Sequence, residues 1–435
     1  MAEVHPFPGI LYSQPTVKEV AEVICPPYDV ISEERREELY RRNEHNFIRI
    51  EYERQKPQDT ETENRYTRSA ATMEAWLKLS VLRTHPAPAV YLHDHHYTYR
   101  GRAYRRRGIT LAVRLTPWEE RSVRPHEGTL SAPKADRINV LRTLKANTSP
   151  ILALFADREG NIASLLKKEA RDKPLIATRP LDGESHQLWA ITDSPVVNEI
   201  CRRLGNEPIY IADGHHRYES ALFYQQERKA SLPTVTGAEA FNFVMMTLVD
   251  FTDPGLLILS PHRLIRGTPD SALRELPARL GKFFTAESLP LNLPDTWERI
   301  NGLQSGTENT ALVLYGLDRE NLTILRQRDR SATDRMMPSA RSDIYRRLDV
   351  SIFDHIILEG LLGMNAEDDM SLSYSYDRQD ALERVKSGEY QLACLISPIR
   401  PDVVKAIADV RDRMPRKSTY FYPKAPAGLV FRRLV

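Results

Sequence analysis

Strand-like residues run from Val90 to Tyr99 and again from Tyr104 to Leu115, with Arg100-Gly101 between them, and this pattern predicts a long antiparallel hairpin. A continuous apolar run from Phe241 to Leu248 predicts a central strand, because a strand covered on both faces loses its polar alternation. Ile151 to Phe155 and Pro208 to Ala212 read as further short buried strands. Helical spacing marks Ala135–Leu144, Val196–Leu204 and the segment from Tyr218 to about Arg228, where Tyr218, Ala221, Leu222 and Gln225 share a face. Beyond these lie a strand-like Leu256–Leu259, an amphipathic helix near Ala272–Leu280, strands near Ala311–Tyr315 and Leu322–Arg326, and one long helix from Ser342 to Leu362. The chain closes with an αβα-like portion ending in Tyr420-Phe421-Tyr422. Strands and helices alternate throughout, which predicts a mixed α/β (α+β) class.

At 435 residues the chain can form two packed portions, taken as 1–265 and 266–435, with the Pro-, Asn-, Gly- and Thr-rich stretch 289–309 as a candidate boundary region. Lys and Arg number 61 against 59 Asp and Glu, which removes the electrostatic argument for a nucleic-acid binder. One basic cluster, Arg100 to Arg107, flanks the hairpin turn and reads as a solvated edge protected from pairing. Cys25, Cys201 and Cys394 are too scattered for a disulfide framework or a zinc ribbon. With neither a leader-like segment nor an apolar run of membrane length, the expectation is a soluble cytoplasmic protein.

The chemistry concentrates at Asp213-Gly214-His215-His216-Arg217, between the strand at Pro208–Ala212 and the helix that follows. The first turn of a helix has backbone N–H groups without intrahelical partners and the positive end of the macrodipole, so it suits an anion. Gly214, His215, His216 and Arg217 are therefore candidate phosphate-binding residues. An Asp cap with solvated cations is the plainer alternative, but three cationic or donor groups in a row at that end favour an anion. No Gly-x-Gly pair and no Gly-x-x-x-x-Gly-Lys-Ser/Thr occurs, so the common dinucleotide, kinase and P-loop cradles are excluded.

Weaker candidates surround it. His126-Glu127 offers an acid–base pair, and Lys134 and Arg137 lie at helical spacing to hold an anionic group, against a plain turn with a solvated His and an exposed helix face. Pro26-Pro27 would fix Tyr28 and Asp29. Lys417-Ser418-Thr419 beside aromatics could line a pocket. His93-Asp94-His95-His96 places His93 and His95 on one strand face, but no second pair of ligands is placed by spacing, so an exposed hairpin face is the expectation.

Taken together, Asp213-Gly214-His215-His216-Arg217-Tyr218-Glu219, Pro26-Pro27-Tyr28-Asp29-Val30-Ile31, His126-Glu127 with Lys134-x-Asp136-Arg137, Pro261-His262-Arg263, and Met414-Pro415-x-Lys417-Ser418-Thr419-Tyr420-Phe421-Tyr422-Pro423-Lys424 resemble a widespread bacterial family catalogued as a domain of unknown function. The blocks run from about Val23 to the C-terminus in the family's order, although the His-rich hairpin departs from its Tyr- and Gln-rich pattern. The Asp-Gly-His-His-Arg element is also similar to that of the free-serine kinases, grouped with ParB-like nucleotidases and sulfiredoxin. That resemblance implies a ParB/sulfiredoxin-like nucleotide-binding core, elaborated by the hairpin and a C-terminal α/β portion that could complete the site. It also implies phosphoryl transfer from ADP or ATP to the hydroxyl of free L-serine.

In this reading Gly214, His215, His216 and Arg217 hold phosphates, and Glu127 is the first choice of catalytic carboxylate, with Asp213 and Asp29 as alternatives. Lys134 and Arg137 bind the substrate carboxylate or nucleotide, and Mg²⁺ accompanies the nucleotide with no ligands named by the sequence. A phosphoserine phosphatase or other phosphate-ester hydrolase, and a ParB-like nucleotide-binding regulator, are the competing readings. Oligomeric state and the phosphoryl donor stay open.

Overall fold

The apolar run around Met246 is a central strand, buried on both sides as its composition requires. In the computed structural model, which describes residues 1–129, 131–304, 311–366, 368 and 370–435, the class is mixed α/β. The chain forms two compact units: residues 1–125, 129–257 and 423–435 make the first, and 126–128 with 258–422 make the second.

The first unit is built on a nine-stranded sheet. Its strands are β1 (Val4–His5), β2 (Val90–Tyr99), β3 (Arg102–Arg114), β4 (Val123–Arg124), β5 (Ile151–Phe155), β6 (Ile176–Ala177), β7 (Glu184–Ile191), β8 (Ile209–Asp213) and β9 (Phe243–Asp250). They lie in the order β4-β8-β5-β9-β3-β2-β7-β6, with β1 added to β3 beyond the start of β2. The β2–β3 hairpin forms where the pattern placed it. Arg100 and Gly101 both take positive φ, 49° and 76°, which a two-residue turn needs to match strand twist.

Its position corrects the edge reading. β2 pairs with β7 and β3 pairs with β9, so the hairpin lies inside the sheet. The tip residues Arg100, Arg102 and Arg105 are exposed, but Arg106 is buried, and so are His93, Asp94 and His95. The expected exposed His face is therefore an internal one. Local alternation specifies a strand but not its neighbours, and β7 begins some 85 residues after β2 ends, a separation on the order of those that make such pairings non-local.

The period of two divides the sheet into faces. Val90, Leu92, Ile109, Leu111, Val113, Val244, Met246 and Leu248 pack with the apolar stripes of α4 (Ser194–Leu204) and α5 (His215–Ser231). Tyr91, Ala112, Leu188 and Met245 point the other way, into a core shared with Leu39 of α1 (Glu33–Arg42) and with Met73 and Trp76 of α2 (Arg65–Lys78). Ser32 caps α1 by accepting from Arg35 N. A further helix, α3 (Ser131–Leu144), runs beside α5.

The second unit carries a six-stranded sheet of β10 (His262–Ile265), β11 (Phe284–Pro290), β12 (Ala311–Tyr315), β13 (Asn321–Gln327), β14 (Leu372–Ser375) and β15 (Leu392–Leu395). Within the stretch 289–309, Thr296–Gln304 is a helix, and residues 305–310 lie outside the described residues. The long helix predicted for Ser342–Leu362 is instead three pieces. Asp343–Arg346 and Asp349–Ile352 are single turns separated by an extended Leu348, and Phe353–Leu361 is a π-helix.

On α5, the buried Tyr218 hydroxyl donates to Thr116 O at 2.8 Å and accepts from Thr116 N at 3.1 Å. Tyr218→Phe removes both bonds and leaves a buried N–H and C=O to find other partners. Chemical denaturation should show a loss of about 1–3 kcal/mol with an unchanged denaturant slope; a loss below ~0.5 kcal/mol would show that other groups satisfy Thr116.

Candidate functional site

β8 ends at Asp213, and Gly214 turns the chain into α5. Gly214 sits at φ 100°, in the left-handed region, and a Cβ there would meet Arg217 Nε at 2.9 Å. Glycine is needed twice over, for the backbone and for the guanidinium that folds back across the turn. Gly214 brings no side chain to cap the helix, so this end relies on other groups for its N–H donors.

Arg217 Nη2 donates to Asp213 Oδ2 at 2.6 Å, and its Nη1 donates to Pro150 O at 2.5 Å. On the other oxygen, Asp213 Oδ1 accepts from Lys424 Nζ. Lys424 reaches this point because Cys25 and Ala427 exchange backbone hydrogen bonds, which ties the Cys25–Asp29 segment to residues 424–427. Burial alone would raise the Asp213 carboxyl. Lys424 and Arg217 outweigh it and, with a smaller contribution from His215, hold the carboxyl far below the usual carboxylate range. Lys424 and Arg217 are both raised in turn: burial opposes their charge, and Asp213 with Asp29 overcomes it.

Around this triad is a second buried charge network. Arg137 donates to Asp136 Oδ2 at 2.8 Å through Nε and contacts Glu51 Oε1 at 3.5 Å; its guanidinium also lies 3.7 Å over the Tyr28 ring. Ser149 Oγ donates to Glu51 Oε1 at 3.0 Å and accepts from Arg217 at 3.4 Å, linking the two networks. Asp136 also accepts from Arg65 and from Tyr66 at 2.8 Å. Asp29 itself is exposed. Lys134 donates to Glu219 Oε2 at 3.0 Å on the neighbouring α5.

The structure thus brings together Tyr28, Asp29, Arg137, Asp213, Gly214, His215 and Arg217, with His215 buried and His216 partly buried. The reading of the Lys134–Arg137 segment as an exposed helix face is corrected at Arg137, which is buried and ion-paired. The solvated His expected at 126 is corrected too, since His126 is fully buried. In the second unit, His126 Nε2 lies 3.0 Å from Thr419 Oγ1, and Glu127 Oε1 accepts from Lys417 N at 3.0 Å. Lys417 takes a positive φ of 53°, and Ser418 Oγ donates to Pro415 O at 2.5 Å. These two sequence blocks, nearly 290 residues apart, are one local cluster.

Lys424, Glu51 and Ser149 were not assigned roles from the sequence. Lys424 stood at the end of a recognisable block, and that was the available signal. Glu51 follows the apolar Phe47-Ile48-x-Ile50, where an acid in a buried run is itself an anomaly.

A family described as "Protein of unknown function (DUF1015)" matches residues 4–351. The chain belongs to that DUF1015 family. No curated protein matches it. Among solved structures, free serine kinase in complex with AMP is similar at 14% identity and a TM-score of 0.35, covering 72% of this chain and 86% of that one. A conserved hypothetical protein from Pyrococcus furiosus is 13% identical with a TM-score of 0.34, covering 74% and 93%. SbnI with a C-terminal truncation, from Staphylococcus aureus, is 11% identical with a TM-score of 0.33, covering 72% and 83%. Among the described residues of this DUF1015 member, no helix is long and apolar enough to cross a membrane.

The Asp213 triad has a definite pH signature. A carboxyl held low when folded adds stability above its unfolded titration, and that stability is lost as pH falls through the folded value. Lys424→Met should cost less than the ~3–5 kcal/mol of an uncompensated buried charge, because Arg217 remains. The deficit against wild type should shrink as the pH drops below the ordinary Asp range, measured by urea denaturation at a series of pH values. A deficit independent of pH would assign the loss to packing instead.

Proposed function

We propose that this chain is a small-molecule phosphotransferase that moves a phosphoryl group from ADP or ATP to the hydroxyl of free L-serine. The observation that carries the reading is the half-buried turn at Gly214, where two cations, Arg217 and Lys424, share the single carboxylate of Asp213 at a helix N-terminus. That arrangement is locally cationic and preorganised, which is what a phosphoryl group passing between oxygens requires. His215, His216, Arg217 and the backbone at Gly214 are the proposed phosphate contacts.

Asp213 is a poor general base, since Lys424 and Arg217 keep it ionised far below neutral pH. Asp29 suits that task better within the first unit: it is exposed, yet close enough to raise Arg217 and Lys424. In the proposed step the serine hydroxyl oxygen bonds to phosphorus, the bridging P–O bond breaks toward the departing AMP or ADP, and the hydroxyl proton passes to Asp29. Mg²⁺, when bound with the nucleotide, neutralises phosphate charge; it is held chiefly by phosphates and water and needs few protein oxygens. Arg137 is proposed as a positioning group for Tyr28, given its commitment to Glu51 and Asp136.

The test is ³¹P NMR of the full chain with Mg²⁺, L-serine and either ADP or ATP. Phosphoserine should form, and Asp29→Asn should lower kcat on the order of 100- to 10,000-fold while the protein keeps its melting temperature. Absence of phosphoserine with both donors would overturn the proposal. Hydrolysis of added phosphoserine would replace it with a phosphatase, and nucleotide binding without turnover would replace it with a regulator.

A further inference from the structure

The hairpin histidines acquire in three dimensions the second pair of donors that their spacing lacked. β7 lies against β2 in register, with His186 opposite His95 and Glu184 opposite Tyr97. Alternate residues of a strand share a face, so His93 and His95 of β2 stand beside Glu184 and His186 of β7. One donor atom from each of His95, Glu184 and His186 lies within 4.8 Å of the others, and both imidazoles are buried. Donors about 2.0–2.2 Å from a tetrahedral zinc ion stand ~3.4 Å apart, so side-chain rotation is enough to close the set.

We propose that His95, Glu184 and His186 form a binding site for a divalent transition cation of the zinc type, separate from the phosphate-binding turn. Two imidazoles and one carboxylate are a donor set that favours Zn²⁺ or Co²⁺ over Mg²⁺ or Ca²⁺, which take oxygen ligands. Three protein ligands leave a fourth position for water. His93 orients the site from outside: its Nε2 lies 3.1 Å from His186 Nδ1, and a His186 Nδ1–H donated to it leaves the Nε2 lone pair for the ion. All four groups stand on paired strands, which hold ligand geometry better than loops do.

Arg106 opposes the ion and gives the proposal a second handle. It lies opposite His95 on β3, and its Nη2 is 3.1 Å from His95 Nδ1. A guanidinium only donates, so in the metal-free protein the His95 proton sits on Nε2 and is donated to Glu184 Oε2 at 2.6 Å. A bound ion takes the place of that proton. His95 then carries its proton on Nδ1, and Arg106 turns away. A glutamine at 106 can accept from Nδ1–H through its carbonyl oxygen, which Arg106 cannot do.

The full chain, stripped of metal by chelation and dialysis, is titrated calorimetrically with Zn²⁺, Co²⁺ and Mg²⁺. One equivalent of Zn²⁺ and of Co²⁺ should bind, with Mg²⁺ failing to compete. His186→Ala and Glu184→Gln should each weaken Zn²⁺ binding by at least about tenfold. Arg106→Gln should bind at least as tightly as wild type. The isosteric Glu184→Gln, together with the visible spectrum of Co²⁺ in the wild-type protein, decides the matter even if His186→Ala does not fold. Binding of less than one equivalent, equal affinity in wild type and Glu184→Gln, or weaker binding by Arg106→Gln would overturn the site.

Discussion

The carboxylate of Asp213, held between Arg217 and Lys424, is the constraint on which the charge arrangement at the first unit's strand–turn–helix depends. It joins the end of a strand, the first turn of a helix and a segment more than 200 residues later in the chain. A buried ion pair of this kind is not a cheap source of stability, because desolvation offsets most of its attraction. Its worth lies in geometry. Two cations are fixed at a helix N-terminus, and the Gly214 turn can be made by no residue with a side chain without displacing one of them. The adjoining network of Glu51, Ser149, Arg137, Asp136 and Arg65 fixes the same region through paired charges and so adds rigidity without adding net charge.

Much of the fold was legible because the relevant signals are local. The Arg100-Gly101 turn and the two-sided apolar strand around Met246 each declare themselves within a few residues. The strand-turn-helix at Asp213 was legible for the same reason, since apolar run, glycine and amphipathic helix are consecutive. What could not be read was adjacency. The hairpin looked like an edge because cationic residues at its tip are indistinguishable, along the chain, from cationic residues along a free strand. Only the pairing of Val90–Tyr99 with Glu184–Ile191 buries His93 and His95.

The same limit explains the site residues. Lys424 meets Asp213 through a return of the chain, and Glu127 meets the Lys417 backbone across 290 positions. Neither contact has a periodic signature. Periodicity also overstated regularity at Ser342–Leu362, where the apolar spacing is helical but the ladder is interrupted at Leu348 and widened into a π-helix beyond Ile352. Spacing reports which face is apolar and does not fix the hydrogen-bond register.

The return of residues 423–435 to the first unit also has a meaning in time. A ribosome releases residues 1–257 well before Lys424, and the intervening 258–422 take on the order of 10–30 seconds to translate. During that interval the nascent first unit holds Asp213 with one of its two cations and lacks the Ala427 partner of Cys25. The turn at Gly214 is therefore assembled late, and a chain cut short before Lys424 cannot acquire the charge arrangement of the full one. Vectorial synthesis makes the last cation a completion signal for the first unit.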